Sequence, residues 1–150
     1  MRTPEQVRWD FVQQWLDKAH KDLQAATILC NGNLGDYDNV GFHAQQAAEK
    51  FIKALLVRYQ VELLKTHSIA VLRQLITQVD QGLAAQLAIA DALTHYGVEF
   101  RYPGDFAPLS YDQGVQALQL AAQTRDLILT HLQSYLSAGR PDDATSAQGP

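Results

Sequence analysis

Near the amino terminus the apolar positions recur in alternating steps of three and four: Trp9, Val12, Leu16, Ala19, Leu23, Ala26 and Cys30. A turn of α-helix takes about 3.6 residues, so such a stripe lies along one helical face. Thr3-Pro4-Glu5-Gln6 reads as the start of this helix. Thr3 can cap it, Pro4 suits the first turn, and Gln6 can reach back to close a capping box. Asn31-Gly32-Asn33-Leu34-Gly35 ends it with residues that tolerate positive φ. A second helix is predicted from Asp36–Asn39 to about Glu62. Ala44, Ala47, Ala48, Phe51 and Leu55 form its buried stripe, widened by Ile52 and Leu56. The alanines allow a neighbouring helix to come close. The opposite stripe, His43, Gln46, Glu49, Lys50 and Lys53, is polar.

The link Lys65-Thr66-His67-Ser68 carries two capping residues for a short third helix, whose apolar face is Ile69, Leu72, Leu75, Ile76 and Val79. Asp80-Gln81-Gly82 is a break, and a fourth helix is predicted over roughly Leu83–Tyr96. Gly97 to Ser110 contains Pro103, Gly104 and Pro108 and cannot be regular helix throughout. Connections of this length are uncommon in compact domains and are more often functional than filler. The last helix is predicted from about Tyr111 to Leu136, with Val115, Leu118, Ala122, Leu129, Leu132 and Leu136 on its stripe. Gly139 to Pro150 is a polar tail with no apolar stripe, expected to be disordered. The pattern therefore predicts an all-α fold, an antiparallel four- to five-helix up-and-down bundle over residues 1–137, with residues 138–150 as tail. No strand-like alternation occurs.

Composition narrows the function more than the fold. The 150 residues are 47% hydrophobic, enough for a core without staples, and 19% charged. A net charge of −4 gives no global argument for nucleic-acid binding. Between His43 and Arg73, however, Lys50, Lys53, Arg58, Lys65 and Arg73 face only Glu49 and Glu62, so a local basic strip is predicted on an acidic body. Cys30 stands alone, which excludes an intrachain disulfide and reads as a small core residue. His20, His43, His67, His95 and His131 show no trustworthy two-ligand spacing, so no metal and no cofactor are predicted. The polar first residues carry no secretory pattern, and no apolar run is long enough to span a membrane; a reducing cytosol suits this composition.

The segment Phe42-His43-Ala44-Gln45-Gln46-Ala47-Ala48-Glu49-Lys50, continuing through Lys53-Ala54-Leu55-Leu56, resembles the signature second helix of HEPN domains. Trp15-Leu16-Asp17-Lys18-Ala19 with Asp22-Leu23 is similar to that family's first helix. Thr66-His67-Ser68-Ile69 is similar to its His-containing link, and Phe100-Arg101-Tyr102-Pro103 to an Arg-Tyr-Pro element before the last helix. The likeness covers about residues 9–136. It implies a helical bundle, usually a homodimer, that binds a nucleotide or RNA and often partners a minimal nucleotidyltransferase in a two-component, toxin–antitoxin-like module. One branch of the family consists of metal-independent ribonucleases that use an Arg and a His four to six residues apart.

That nuclease pair is poorly matched here. Arg101 lies in the expected region, but the His positions hold Phe106 and Ala107, Tyr102 follows the Arg, and Asp105 is the nearby proton-transfer group. Arg125 and His131 have the right count between them. On one continuous helix their side chains would diverge by about 120°. The candidate nucleotide or RNA contacts are therefore Arg101, Tyr102 and Asp105 in the aromatic connection, His67 at a helix start, and the Lys50/Lys53 strip. An Arg flanked by aromatic rings can stack a base and hold phosphate; its plainer role is to brace the loop. His67 equally suits tying the link to the bundle, and Lys50 and Lys53 suit an ordinary solvated face with a Glu49–Lys53 pair. Three functions remain open: a nucleotide- or RNA-binding partner of a nucleotidyltransferase, a metal-independent ribonuclease toxin, and a structural protein–protein module.

Overall fold

The computed structural model describes residues 1–97 and 107–142. They form five α-helices and one 3₁₀ helix, with no strand among the described residues: α1 (Pro4–Asn31), α2 (Tyr37–Arg58), α3 (Ile69–Ile76), α4 (Gln81–Gln86), the 3₁₀ helix (Leu87–Gly97) and α5 (Tyr111–Ala138). Each α-helix begins on a side-chain cap. Thr3 and Ser110 close full capping boxes with Gln6 and Gln113, and Asp36, Ser68 and Asp80 cap α2, α3 and α4.

Helix α2 is the axis. It packs against α1, α5, the 3₁₀ helix and α3, while α1 and α5 touch each other much less. Tyr37 at the start of α2 lies against Gly114 at the start of α5, and Arg58 at its end lies over Tyr135 near the end of α5, so these two run in the same direction. α1 runs against both, with Trp9 on Tyr135. The short helices α3, α4 and the 3₁₀ helix carry the chain back between α2 and α5. Ala44, Ala47 and Ala48 are fully buried and let α1 approach closely, and Phe51, Ile52, Leu55, Leu56, Leu72, Leu93 and Ile128 fill the centre. Cys30 is buried with Ala26 and Val40.

Three sequence expectations need correction. α2 stops at Arg58 rather than near Glu62. Gln60 takes positive φ, Val61 N–H donates to the Leu56 carbonyl and Gln60 N–H to that of Val57, a complete left-handed helix stop built without glycine. The single fourth helix is a short α-turn followed by a 3₁₀ helix. Its buried positions Leu87, Ala90 and Leu93 recur every third residue, which is the 3₁₀ repeat. On α5 the buried face is Gly114, Ala117, Ala121, Thr124, Ile128 and Leu132, one position away from most of the predicted stripe. The small residues were the true core face, because α2 comes close there: a Cβ on Gly114 would stand 3.2 Å from Tyr37. Val115, Leu118, Ala122, Leu129 and Leu136 are only half-buried, on the flank.

The residues just past α5 are held down. Gln6 donates to the Pro141 carbonyl at 2.9 Å, and Arg140 reaches Asp10 at 3.0 Å. Residues 143–150, most of the predicted tail, lie outside the described residues.

Candidate functional site

The polar stripe of α2 does not face open solvent. α1 and the link before α3 cover it, and they supply partners that a reading of α2 alone cannot show. On the α1 side, Asp22 accepts from Lys50 and lies 3.0 Å from His43 Nδ1. Next to Lys50 on α2, Glu49 is nearly inaccessible. It takes Lys53 Nζ at 2.5 Å, Gln45 Nε2 at 3.0 Å and His67 Nδ1 at 3.3 Å. Gln45 also donates to the His67 carbonyl at 3.2 Å and accepts from Gln46 at 2.7 Å. Lys53 lies over the Trp15 ring, 5.3 Å from its centroid. The seam thus repeats one device twice: a carboxylate held between a lysine and a histidine.

Energetics explain the device. A carboxylate removed from water costs several kcal/mol unless it is paired and hydrogen-bonded, at about the scale expected for buried ions. Glu49 obtains a cation from Lys53 and two further contacts from Gln45 and His67. In consequence, Lys50 and Lys53 do not project free ammonium groups, and the basic strip expected from the sequence is an ion-paired seam. The Glu49–Lys53 pair weighed as the plainer reading is present, but inside the bundle.

His67 differs from its neighbours. Its side chain is 58% exposed, although one ring nitrogen faces Glu49. Its position is fixed from several sides: Gln45 holds its carbonyl, Ser68 N–H donates to Thr66 Oγ1 at 3.0 Å, and Ile69 N–H donates to Thr94 Oγ1 at 3.1 Å. Arg73 and Asp91 add a two-pronged ion pair between α3 and the 3₁₀ helix, which raises Arg73 above its ordinary pKa, chiefly through the Asp91 hydrogen bond.

Arg101, Tyr102 and Asp105 lie in residues 98–106, outside the described residues. Both flanks of that segment are placed. Gly97 sits directly on Gln45, so close that a Cβ there would fall 2.2 Å from Gln45 Oε1. On the far side, Leu109 N–H donates to Asp38 Oδ1 at 2.9 Å. The chain thus leaves the His67–Glu49–Gln45 network at Gly97 and returns to the bundle at the start of α2.

Arg125 and His131 do not cooperate. α5 is continuous through both. Arg125 pairs with Asp126 at 2.9 Å, and burial, aided by the Arg125 charge, holds the His20 imidazole below its ordinary pKa. His131 turns elsewhere: its Nε2 is 2.9 Å from the Tyr59 hydroxyl and its Nδ1 is 3.9 Å from Asp80. Beside it a cleft of about 890 Å³ opens between α4, the 3₁₀ helix and α5, floored by Leu83, Ile89 and Leu127. The sequence reading missed Tyr59 and Asp80 as partners of His131; the end of α2, the cap of α4 and the interior of α5 bring them together, and no local spacing signals it. Among the described residues, no three His, Cys, Asp or Glu side chains gather to hold a metal ion, and no helix is long and apolar enough to cross a membrane.

The architecture defines an all-helical bundle protein organised around a central helix with a buried glutamate–lysine–histidine network. The chain belongs to the HEPN domain family, whose model matches residues 12–131. Two solved structures share the fold. The archaeal HEPN homologue ST0689 superposes with a TM-score of 0.63 at 24% identity, covering 81% of this chain and 97% of that one. TT1696 from Thermus thermophilus gives a TM-score of 0.61 at 26% identity, covering 79% of this chain and 96% of that one. No curated protein matches the chain.

Proposed function

We propose that this HEPN protein binds a nucleotide or RNA, acts as a homodimer, and works with a minimal nucleotidyltransferase in a two-component, toxin–antitoxin-like module. The observation that carries the reading is the seating of Gly97 on Gln45. It ties the start of the segment bearing Arg101, Tyr102 and Asp105 to the network that positions His67. In this reading Arg101 holds phosphate, Tyr102 stacks the base, and Asp105 and the outward nitrogen of His67 supply polar contacts. Lys53 and Lys50, neutralised by Glu49 and Asp22, set the local geometry and add little free charge.

The test is calorimetry on the full chain with ATP, GTP, AMP and a short single-stranded RNA, with Arg101→Ala as control. Saturable binding that disappears in the variant supports the site. A folded protein that binds none of the four overturns the reading. A second reading, a metal-independent ribonuclease, draws support from His131 held between Tyr59 and Asp80 beside the cleft, an arrangement that orients an imidazole for proton transfer. Growth arrest on expression, abolished by His131→Ala, would favour it.

A further inference from the structure

At the opposite end of α2 from Gly97, roughly 20 Å away along the helix axis, a different set of cations collects. α1 begins there, and α2 and α5 finish there. Arg58 lies over the Tyr135 ring at 4.2 Å and over the Tyr59 ring at 5.2 Å. Arg8 faces Gln60, whose amide, turned with its oxygen toward the guanidinium, accepts from Nη1 at 3.2 Å. Both arginines are half-buried, yet among the described residues neither has a carboxylate partner. This is unusual economy for an acidic chain, because a half-buried guanidinium ordinarily finds a carboxylate. Asp10, the carboxylate whose charge acts on Tyr135 beside the two arginines, is already held by Arg2 at 2.8 Å and Arg140 at 3.0 Å.

The surrounding groups are aromatic. Trp9 packs on Tyr135 with ring centroids 5.0 Å apart, and Tyr59 is exposed with its hydroxyl on His131. The Tyr135 hydroxyl is buried with no hydrogen-bond partner among the described residues. Burial pushes that phenol above its ordinary pKa, and the charges of Arg58 and Arg8 oppose the shift. Trp9 also opens a groove of about 480 Å³ that runs between α1 and α5 past Gln13, Leu16 and Leu129 to His20. Apart from Asp10, the acidic groups nearest in sequence are Glu5 and Glu62, and neither pairs with Arg8 or Arg58.

We propose that this end is a separate binding site for a nucleotide phosphate, with Arg8 and Arg58 holding the phosphate and the aromatic surface of Tyr59 and Trp9 receiving the base. The chemistry follows from the parts. Guanidinium forks match phosphate oxygens in pairs, and rings beside them offer a stacking platform that accepts any base. Gln60 has a positioning role: it holds the Arg8 fork at the end of α2 where Arg58 lies, and neither arginine has a carboxylate partner among the described residues. The site differs from the one containing Arg101 in residues and in location, and shares with it only the class of ligand.

The experiment is fluorescence anisotropy of a labelled short oligouridylate on the full chain across a series of salt concentrations, with AMP and dextran sulfate as competitors. Arg8→Ala and Arg58→Ala should each weaken binding roughly tenfold. The double variant should flatten the slope of log affinity against log salt by about 0.7 for each phosphate no longer neutralised. Arg58→Lys keeps the charge and the bundle but removes the planar fork, and should weaken binding as well. Circular dichroism and thermal midpoints verify that each variant is folded. Loss of binding in the arginine variants with Arg101→Ala unaffected supports this site and overturns the one in residues 98–106. Loss only in Arg101→Ala overturns this site and leaves the proposed function standing. Competition by AMP shows that a mononucleotide suffices, whereas competition by neither AMP nor dextran sulfate shows that the strand is read; both support the proposal. Competition by dextran sulfate as strong as by RNA overturns the nucleotide assignment, and a wild-type chain that binds no RNA overturns both sites.

Discussion

Two regions of this molecule concentrate cations on an acidic chain, and they use them oppositely. In the seam along the middle of α2, Lys50 and His43 share Asp22, and Lys53 and His67 share Glu49. At the far end of the same helix, Arg58 leans on two tyrosine rings and Arg8 on an amide. Counting charges along the sequence ranks the seam higher, because its lysines are closer together. Partners reverse the ranking: the seam's lysines are taken up by carboxylates inside the bundle, and the two arginines have no carboxylate partner among the described residues. Availability of a cation is a tertiary property, set by which helix lies across from it.

The sharpest break in this contrast comes from removing the carboxylate. Glu49→Ala leaves Lys53 half-buried without a counter-charge and deprives Gln45 and His67 of their shared acceptor. Breaking one side of a buried pair costs about 3–5 kcal/mol. For a domain of this size that corresponds to roughly a 6–20 °C fall in the melting midpoint. Urea and thermal denaturation would read it. A loss below about 1 kcal/mol would show that the seam is dispensable and that Lys53 is free for ligand after all. By contrast, Arg8→Ala, which breaks no ion pair, should change the stability by only about 0.5 kcal/mol.

How much of this was legible in the sequence differs by level. The all-helical fold, the caps at Thr3 and Ser68, and the alanine face of α2 follow from local spacing, and the structure has them. The α5 face was misread because a hydrophobic count favours Leu118 and Leu129 over Gly114 and Ala117. Close helix packing prefers the small residues, and closeness is not written in one helix. The seam was misread for a related reason. Glu49 looks solvent-facing on a single-helix projection, but α2 is covered on nearly every side, so its polar residues are interior. Arg58 entered the sequence reading only as one charge of the basic strip and Arg8 not at all; the two are far apart in sequence and are joined only by the antiparallel packing of α1 on α2. The residues most expected to bind ligand, Arg101 and Tyr102, stand in a segment whose flanks alone are described.

A smaller and more selective break lies at Gln60, where φ is 59°. A left-handed backbone costs an L-residue roughly 1 kcal/mol, which glycine does not incur. Gln60→Gly should therefore stabilise the bundle by about 0.5–1 kcal/mol, read as a rise in the urea midpoint. The same change removes the amide that positions Arg8, so oligouridylate affinity should fall severalfold. Opposite signs for stability and affinity are the signature of a residue retained for position. If stability rises and affinity does not move, Gln60 does not place Arg8.

The weakest effect separates the quenched from the open arginines within the same end. Hydrogen bonds from Arg140 and then Arg2 hold the Asp10 carboxyl at a pKa of about 2, below its ordinary 3.8. A carboxylate depressed in the folded state adds stability that is complete above its unfolded pKa and is lost as pH falls through the folded one. The contribution of Asp10 should thus be full at pH 6, decline below about 4, and vanish near 2. Because water reaches Asp10, the effect is small and salt-screened. Melting midpoints of the wild type and Asp10→Asn, followed from pH 6 downward, should start apart with the wild type higher and converge across that window. Arg140→Ala should remove part of the gap, since it takes the largest of the interactions that depress Asp10, whereas Arg8→Ala should leave the gap as it is. If Arg8→Ala closes the gap instead, Asp10 is the missing counter-ion of Arg8, and the contrast between a neutralised seam and an open arginine end fails.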